Sequence, residues 1–226
     1  MDGSSSHRTI RPIVIALAAF AMTGAGLAAL AQTGATMIAI DKMEVGTLPA
    51  DFEFARTGQG GPARWTVVAD ASAAGGRAIE QTSTDKTDYR FPLAIYKPLT
   101  AINVDVSLRF KAVAGAVDQA GGIAVRLSTP DDYYVVRANA LEDNVRFYRV
   151  VKGRREQLAG TDTKVSANAW HTLGLRAEGG TFTVTFNGKT LHSASDRTFT
   201  GAGRVALWTK ADSVTRFDSI AIKTLP

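Results

Sequence analysis

The 226-residue chain predicts an all-β fold, a two-sheet antiparallel sandwich of jelly-roll type. Two observations carry that expectation. Apolar and polar residues alternate with period two in many short runs rich in Val, Ile, Thr, Phe and Tyr. The runs are separated by Gly, Asp, Asn and Pro turn signals, and past residue 31 no run has the period and length of an amphipathic helix.

Residues 1–31 read as a signal peptide. Arg8 and Arg11 precede the uncharged run PIVIALAAFAMTGAGLAALA, which ends in the small-x-small triplet Ala29-Leu30-Ala31. A positive flank, an apolar centre and such a site describe an export signal; a retained anchor, the alternative, would need a span that Thr23, Gly24 and Gly26 weaken. A membrane enters this scheme only if the leader stays uncleaved, and the expected location is periplasmic or extracellular. Residues 32–50 read as a linker and lead-in, and 51–226 as one β-sandwich domain.

Within that domain strands are expected at 51–56, 64–69, 78–81, 90–96, 101–111, 122–128 and 133–139. Further strands are expected at 144–151, 156–159, 170–177, 181–186, 189–193, 203–210 and 214–223. The fifth shows the logic: Ile102, Val104, Val106, Leu108 and Phe110 face one way, Asn103, Asp105, Ser107, Arg109 and Lys111 the other. A helix would scatter those apolar groups around its axis. Asn187-Gly188, between TFTVTF and KTLHS, is a type I′ hairpin signal, because both residues tolerate positive φ.

Charge and composition exclude several chemistries. Removing Arg8, Arg11 and Asp2 from 26 basic and 21 acidic residues leaves 24 and 20, a mild excess of +4. For an exported protein that excess fits carbohydrate or anionic polysaccharide better than nucleic acid. The basic run Arg146, Arg149, Lys152, Arg154, Arg155 reads as a hairpin crest. The absence of cysteine excludes thiol catalysis and thiolate metal sites. His171 shares an apolar face with Leu173 and Leu175, and with only His192 beside it after the leader, zinc is not expected. No cofactor is expected, although Asp218 and Glu53 could offer oxygens to a structural calcium near the chain ends.

The candidate site lies on the polar faces of three successive strands. Alternation sends Ile123, Val125 and Leu127 inward and Arg126 outward; Tyr133, Arg137 and Asn139, then Arg146 and Tyr148, follow on the same side. Near the C-terminus Val205 and Leu207 face inward, which places Trp208 and Lys210 opposite them, with Asp212 just beyond. Flat rings with planar donors and amides suit sugars, which offer C–H faces and paired hydroxyls.

The segments GGIAVRLSTPDDYYVVRANALEDNVRFYRV, AWHTLGLRAEGGTFTVTFNGKTL and GRVALWTKADSVTRFDSIAI resemble the concanavalin A-like lectin/glucanase superfamily. More narrowly, they are similar to secreted bacterial 3-keto-disaccharide hydrolase domains and their laminin-G-like relatives. The resemblance spans about residue 51 to the end and implies a curved jelly roll that binds sugar on its concave face. It marks Arg137, Asn139, Glu142, Trp208, Lys210 and Asp212 as the distinctive positions. It also implies an alternative activity, hydrolysis of 3-keto-glycosides. There Glu142 or Asp212 would be the base, and Lys210 or Arg137 would stabilise the developing enolate. A structural or adhesion module of the cell envelope is a further alternative. The paired carboxylates of family 16 glucanases, which must lie ~5–5.5 Å apart, are missing. The six glutamates, Glu44, Glu53, Glu80, Glu142, Glu156 and Glu178, are never within five residues of one another.

Overall fold

The computed structural model describes residues 1–3 and 34–226, and Thr33–Pro226 forms one compact unit. The expected leader, 1–31, lies almost wholly outside the described residues. Fifteen strands follow. They are β1 (Thr36–Met37), β2 (Phe52–Gly58), β3 (Trp65–Ala69), β4 (Arg77–Gln81) and β5 (Arg90–Tyr96). Next come β6 (Val104–Ala114), β7 (Ala120–Thr129), β8 (Asp132–Asn139), β9 (Asn144–Val151) and β10 (Arg154–Asp162). The last are β11 (His171–Glu178), β12 (Thr181–Phe186), β13 (Lys189–Ser195), β14 (Arg204–Trp208) and β15 (Val214–Thr224).

All pairings are antiparallel. One sheet runs β13-β12-β11-β6-β15-β4-β3, with β1 added against β15; the other runs β10-β9-β8-β7-β14-β5-β2. The two-sheet sandwich expected from the alternation is present. Phe110, Phe147, Phe182, Phe217, Tyr134 and their aliphatic neighbours fill the space between the sheets. Full burial of each such side chain contributes about 1.5–3 kcal/mol before entropy is counted.

Three local readings are corrected. Ile102 precedes β6 and is 47% exposed, so the inward row begins at Val104. Residues 36–37 pair with Ile222 and Ala221, and Ile38 and Ile40 enter the core, so the segment read as a lead-in contributes to the sandwich. Leu127 lies on the opposite face of its sheet from Val125, because a bulge intervenes. Arg126 sits in that bulge with φ of 50°. One extra residue shifts the alternation, which no period-two count can foresee.

The β10-to-β2 sheet is so strongly curled that opposite corners meet over its concave face. The Tyr89 hydroxyl, just before β5, donates to the Gly153 carbonyl at 3.1 Å and accepts from the Arg155 N–H at 2.8 Å. Thr57 of β2 donates its hydroxyl to the Pro130 carbonyl at 2.6 Å. This closure buries a second apolar layer: Phe91, Leu93, Ile95, Ala124, Val135, Val150 and Trp208. Gly122 makes room for it, since a Cβ there would stand 3.3 Å from the Trp208 ring and 2.5 Å from the Val136 carbonyl.

Candidate functional site

Two linked polar groups occupy the end of the concave face where β8 turns into β9. In the first, Arg137 is the hub. Its Nη2 donates to Glu142 at 2.6 Å and to the Tyr148 hydroxyl at 3.2 Å, and its Nη1 donates to Asn144. Asn144 also donates to Glu142 at 3.2 Å. Arg137 and Asn144 reach one another diagonally across the hairpin: Arg137 stands opposite Arg146, and Asn144, opposite Asn139, lies two residues nearer the turn on the same face. The guanidinium is buried, whereas the Glu142 side chain remains 44% exposed. Burial pushes the Glu142 carboxyl up, but the Arg137 charge and the bonds from Asn144 and Arg137 outweigh it and hold the group below its ordinary value.

The second group is a ladder of alternating charge. Asn139 donates to Asp118 at 2.7 Å, Asp118 meets Lys210 Nζ at 2.7 Å, and Lys210 meets Asp88 at 2.7 Å. Asn139 also accepts the Leu141 N–H at 2.9 Å, which joins the ladder to the hairpin that carries Glu142. Asp118 is fully buried and burial raises its pKa against the pull of Lys210. Burial works against charge on Lys210, but hydrogen bonds to Asp118 and Asp88 prevail and hold the ammonium above its ordinary value. Asp88 opens to solvent at 72% exposure. Exposed Leu141 and Val117 stand on the neighbouring loops.

The structure therefore brings together Arg137, Asn139, Glu142, Tyr148 and Lys210, and separates the rest. Arg126 turns its guanidinium to the carbonyls of Ile102, Phe199 and Gly179, at the other end of the sandwich, where it also covers the Phe182 ring. Arg146 points along the face to Asp162 on the edge strand, at 2.5 Å. Trp208 and Tyr133 have no exposed surface: the indole stacks on Phe91 at 5.1 Å and donates to the Tyr133 hydroxyl at 3.2 Å. Tyr133 and Thr57 hydroxyls share a 2.7 Å bond.

Asp212 does not pair with Lys210. Its carboxylate accepts the N–H groups of Ala116, Val117 and Asp118 at 2.8, 3.0 and 3.0 Å, which fixes the loop that presents Asp118. Asp218 and Glu53 lie on different sheets and serve arginines, Arg109 and Arg204. Among the described residues no three His, Asp or Glu side chains cluster as a metal site.

Sequence reasoning missed Asp118, Asp88, Asn144 and the role of Arg155. The Arg155 guanidinium lies 4.4 Å from the Tyr148 ring centre, 4.9 Å from Phe91 and 6.0 Å from Trp208. It reaches from an edge strand across the curled sheet, where Gly122 alone signals in the sequence that a large ring, Trp208, approaches the backbone. Chemically the site offers planar hydrogen-bonding groups already oriented by one another, two exposed carboxylates and a cation beneath each. Of the two bases considered, Glu142 is held by Arg137 and Asn144 through one oxygen, and Asp212 is held by backbone N–H groups.

Residues 100–225 match the family described as galactocerebrosidase, C-terminal lectin domain, and the chain belongs to that family. Its fold is the concanavalin A-like jelly roll. Carbohydrate-binding module CBM66 from Bacillus subtilis is similar to it, with a TM-score of 0.58 at 18% identity over 76% of this chain and 95% of that one. The Bacillus licheniformis β-glucanase aligns with a TM-score of 0.55 at 12% identity over 86% of this chain and 100% of its own. A Bacteroides ovatus protein described as xyloglucan PUL GH43B gives 0.52 at 16% identity, over 79% of this chain and 38% of its own. At these identities the structures speak for the fold alone. No curated protein matches the chain.

Proposed function

We propose that this chain is a glycan-recognising domain of an exported protein and that sugar meets it at the end of the concave face built by Glu142, Arg137, Asn144, Lys210 and Asp88. The observation that carries the proposal is the paired network of Arg137 and Lys210, each oriented from below and each holding an exposed carboxylate at the surface. Such carboxylates accept pairs of vicinal hydroxyls without rearranging, so little side-chain entropy is lost when a sugar docks. Membership of a family of lectin domains supports the ligand class. Export rests on the leader at 1–31.

A glycan array followed by calorimetry tests this. Glu142→Ala and Asp88→Ala should each weaken binding about 10-fold or more, since a hydrogen bond to a charged group is worth about 1.5–3 kcal/mol. Asp88→Ala, which leaves Lys210 paired with Asp118, should keep the melting temperature, whereas Glu142→Ala strips the buried Arg137 of its carboxylate and should lower it. Binding untouched by both substitutions would move the ligand elsewhere. No glycan bound by the parent protein would end the proposal.

A further inference from the structure

A groove of 620 Å³ runs beside the β9–β10 turn, lined by Arg149, Val151, Lys152, Arg154, Arg155, Glu156 and Thr198. Four of those seven residues are cationic and one is acidic. Arg149 is already engaged, by Glu156 and by Asp196, each at 2.9 Å. Among the described residues Lys152, Arg154 and Arg155 have no carboxylate within ion-pair distance, so three cations in the groove lack a counter-charge.

Arg155 makes this more than a solvated crest. Its guanidinium is pressed onto the Tyr148 and Phe91 rings, and its buried Nη1 has no hydrogen-bond acceptor. An unmet donor of this kind is costly unless an acceptor arrives, and planar guanidinium groups fit oxyanions with two bonds at once. The turn itself is rigid. Lys152 and Gly153 hold φ of 48° and 75°, Asp132 accepts the Lys152 N–H at 2.9 Å, and the Gly153 N–H reaches the Asp131 carbonyl at 2.9 Å. Neither Asp131 nor Asp132 lines the groove. The cations are thus displayed on a fixed frame, with little ordering left to lose on binding.

We propose that this groove is a second subsite that takes an anionic substituent, a carboxylate or a sulfate, on a polysaccharide. It rests on the glycan-binding reading for the polymer that carries the anion, and the test separates the two.

Binding is measured to a polyuronate, a sulfated glucan and the same glucan unsulfated, at about 0.15 M salt, where exposed charges are screened beyond ~8 Å. The double variant Lys152→Gln/Arg154→Gln should lose acidic-polymer binding by about tenfold or more and keep its melting temperature, because neither side chain makes a hydrogen bond or ion pair among the described residues. Lys152→Gln/Arg154→Lys, which keeps one of the two charges, should recover part of the loss. A second double variant, Lys97→Gln/Lys223→Gln, removes the same charge from exposed positions outside the groove and should bind as the parent does. Loss of only one acidic polymer identifies the anion. Equal loss in both double variants would overturn the proposal in favour of bulk charge, as would a parent that binds neither acidic polymer. Glycan binding sensitive to Glu142→Ala but indifferent to the groove variant would reject the subsite and leave the first site standing.

Discussion

Replacing Asp212 with alanine separates a structural carboxylate from a chemical one. Three N–H groups converge on it, from Ala116, Val117 and Asp118, at 2.8–3.0 Å. Bonds to a charged acceptor are each worth about 1.5–3 kcal/mol, and a buried donor left unmet costs about 1–3 kcal/mol. Ala116 and Val117 are exposed, so water can replace the carboxylate for them, but the Asp118 N–H is buried. The expected destabilisation of Asp212→Ala is therefore about 2–5 kcal/mol. For a domain of this size each kcal/mol moves the melting temperature by about 2–4 °C, which gives a fall of about 4–20 °C. Asp212→Asn should fall between parent and alanine, since one oxygen remains to accept. Calorimetry with urea titration of the same samples reads the effect. A melting temperature within about 2 °C of the parent in Asp212→Ala would refute the anchoring role and return Asp212 to the list of reactive carboxylates.

Three other outcomes are expected. Gly121→Ala places a Cβ 2.8 Å from the Phe110 ring and 3.1 Å from Thr215 Cγ2, so overpacking should lower stability by about 1–3 kcal/mol, seen as a shifted urea midpoint with unchanged slope. Trp208→Ala removes a fully buried ring stacked on Phe91 and should cost about 3–5 kcal/mol by urea titration, whereas Trp208→Phe, which keeps the stack and loses the bond to Tyr133, should cost clearly less. Acid should unfold the domain through its depressed carboxyls. The Gly61 N–H, then the N–H and hydroxyl of Thr87, lower Asp85 to about 2, and Lys111, Ser72 and Arg216 hold Asp70 lower still against its burial. A carboxyl depressed in the folded state adds stability above its unfolded pKa of about 3.9 and loses it as pH falls toward the folded value. Melting temperature should thus drop from pH ~4 toward pH ~2, and Asp85→Asn should lower it at pH 6 while flattening that drop. Asp118, raised by burial, acts with the opposite sign: its contribution declines as pH rises above ~3.9.

Much of the architecture was legible because side-chain period follows backbone pleat. β6 from Val104 to Phe110, the Asn187-Gly188 turn and the β9 bounds all follow from local residue order, with Asn187 at φ of 47° and Gly188 at 78°. The site was legible only in part. Arg137, Asn139 and Tyr148 sit on one hairpin, so alternation placed them together, and Glu142, in the turn between the strands, was marked by the family resemblance alone. Arg126 was assigned to the wrong face because the bulge it occupies breaks the alternation within β7, and to the wrong end because Gly122, not Arg126, stands level with Arg137. Trp208 was expected at the surface for a different reason: alternation distinguishes the two faces of a sheet but carries no information about a curl that covers one of them. Asp118 and Asp88 lie in loops, where no periodicity exists, and their partner Lys210 is far from both in the chain.

The strand order also sets when the domain can form. β14 and β15 follow every strand they pair with, and each occupies an interior place in its sheet: β14 between β7 and β5, β15 between β6 and β4. Until those residues have left the ribosome, each sheet is two halves with facing unpaired edges, and the loop that Asp212 secures has no anchor. Through the first two hundred residues Asp118 therefore lacks both Lys210 and the carboxylate that fixes its loop. A chain stopped before Val214 lacks the strand that joins Phe110 to Ile79, and it should be found by proteases as an open chain.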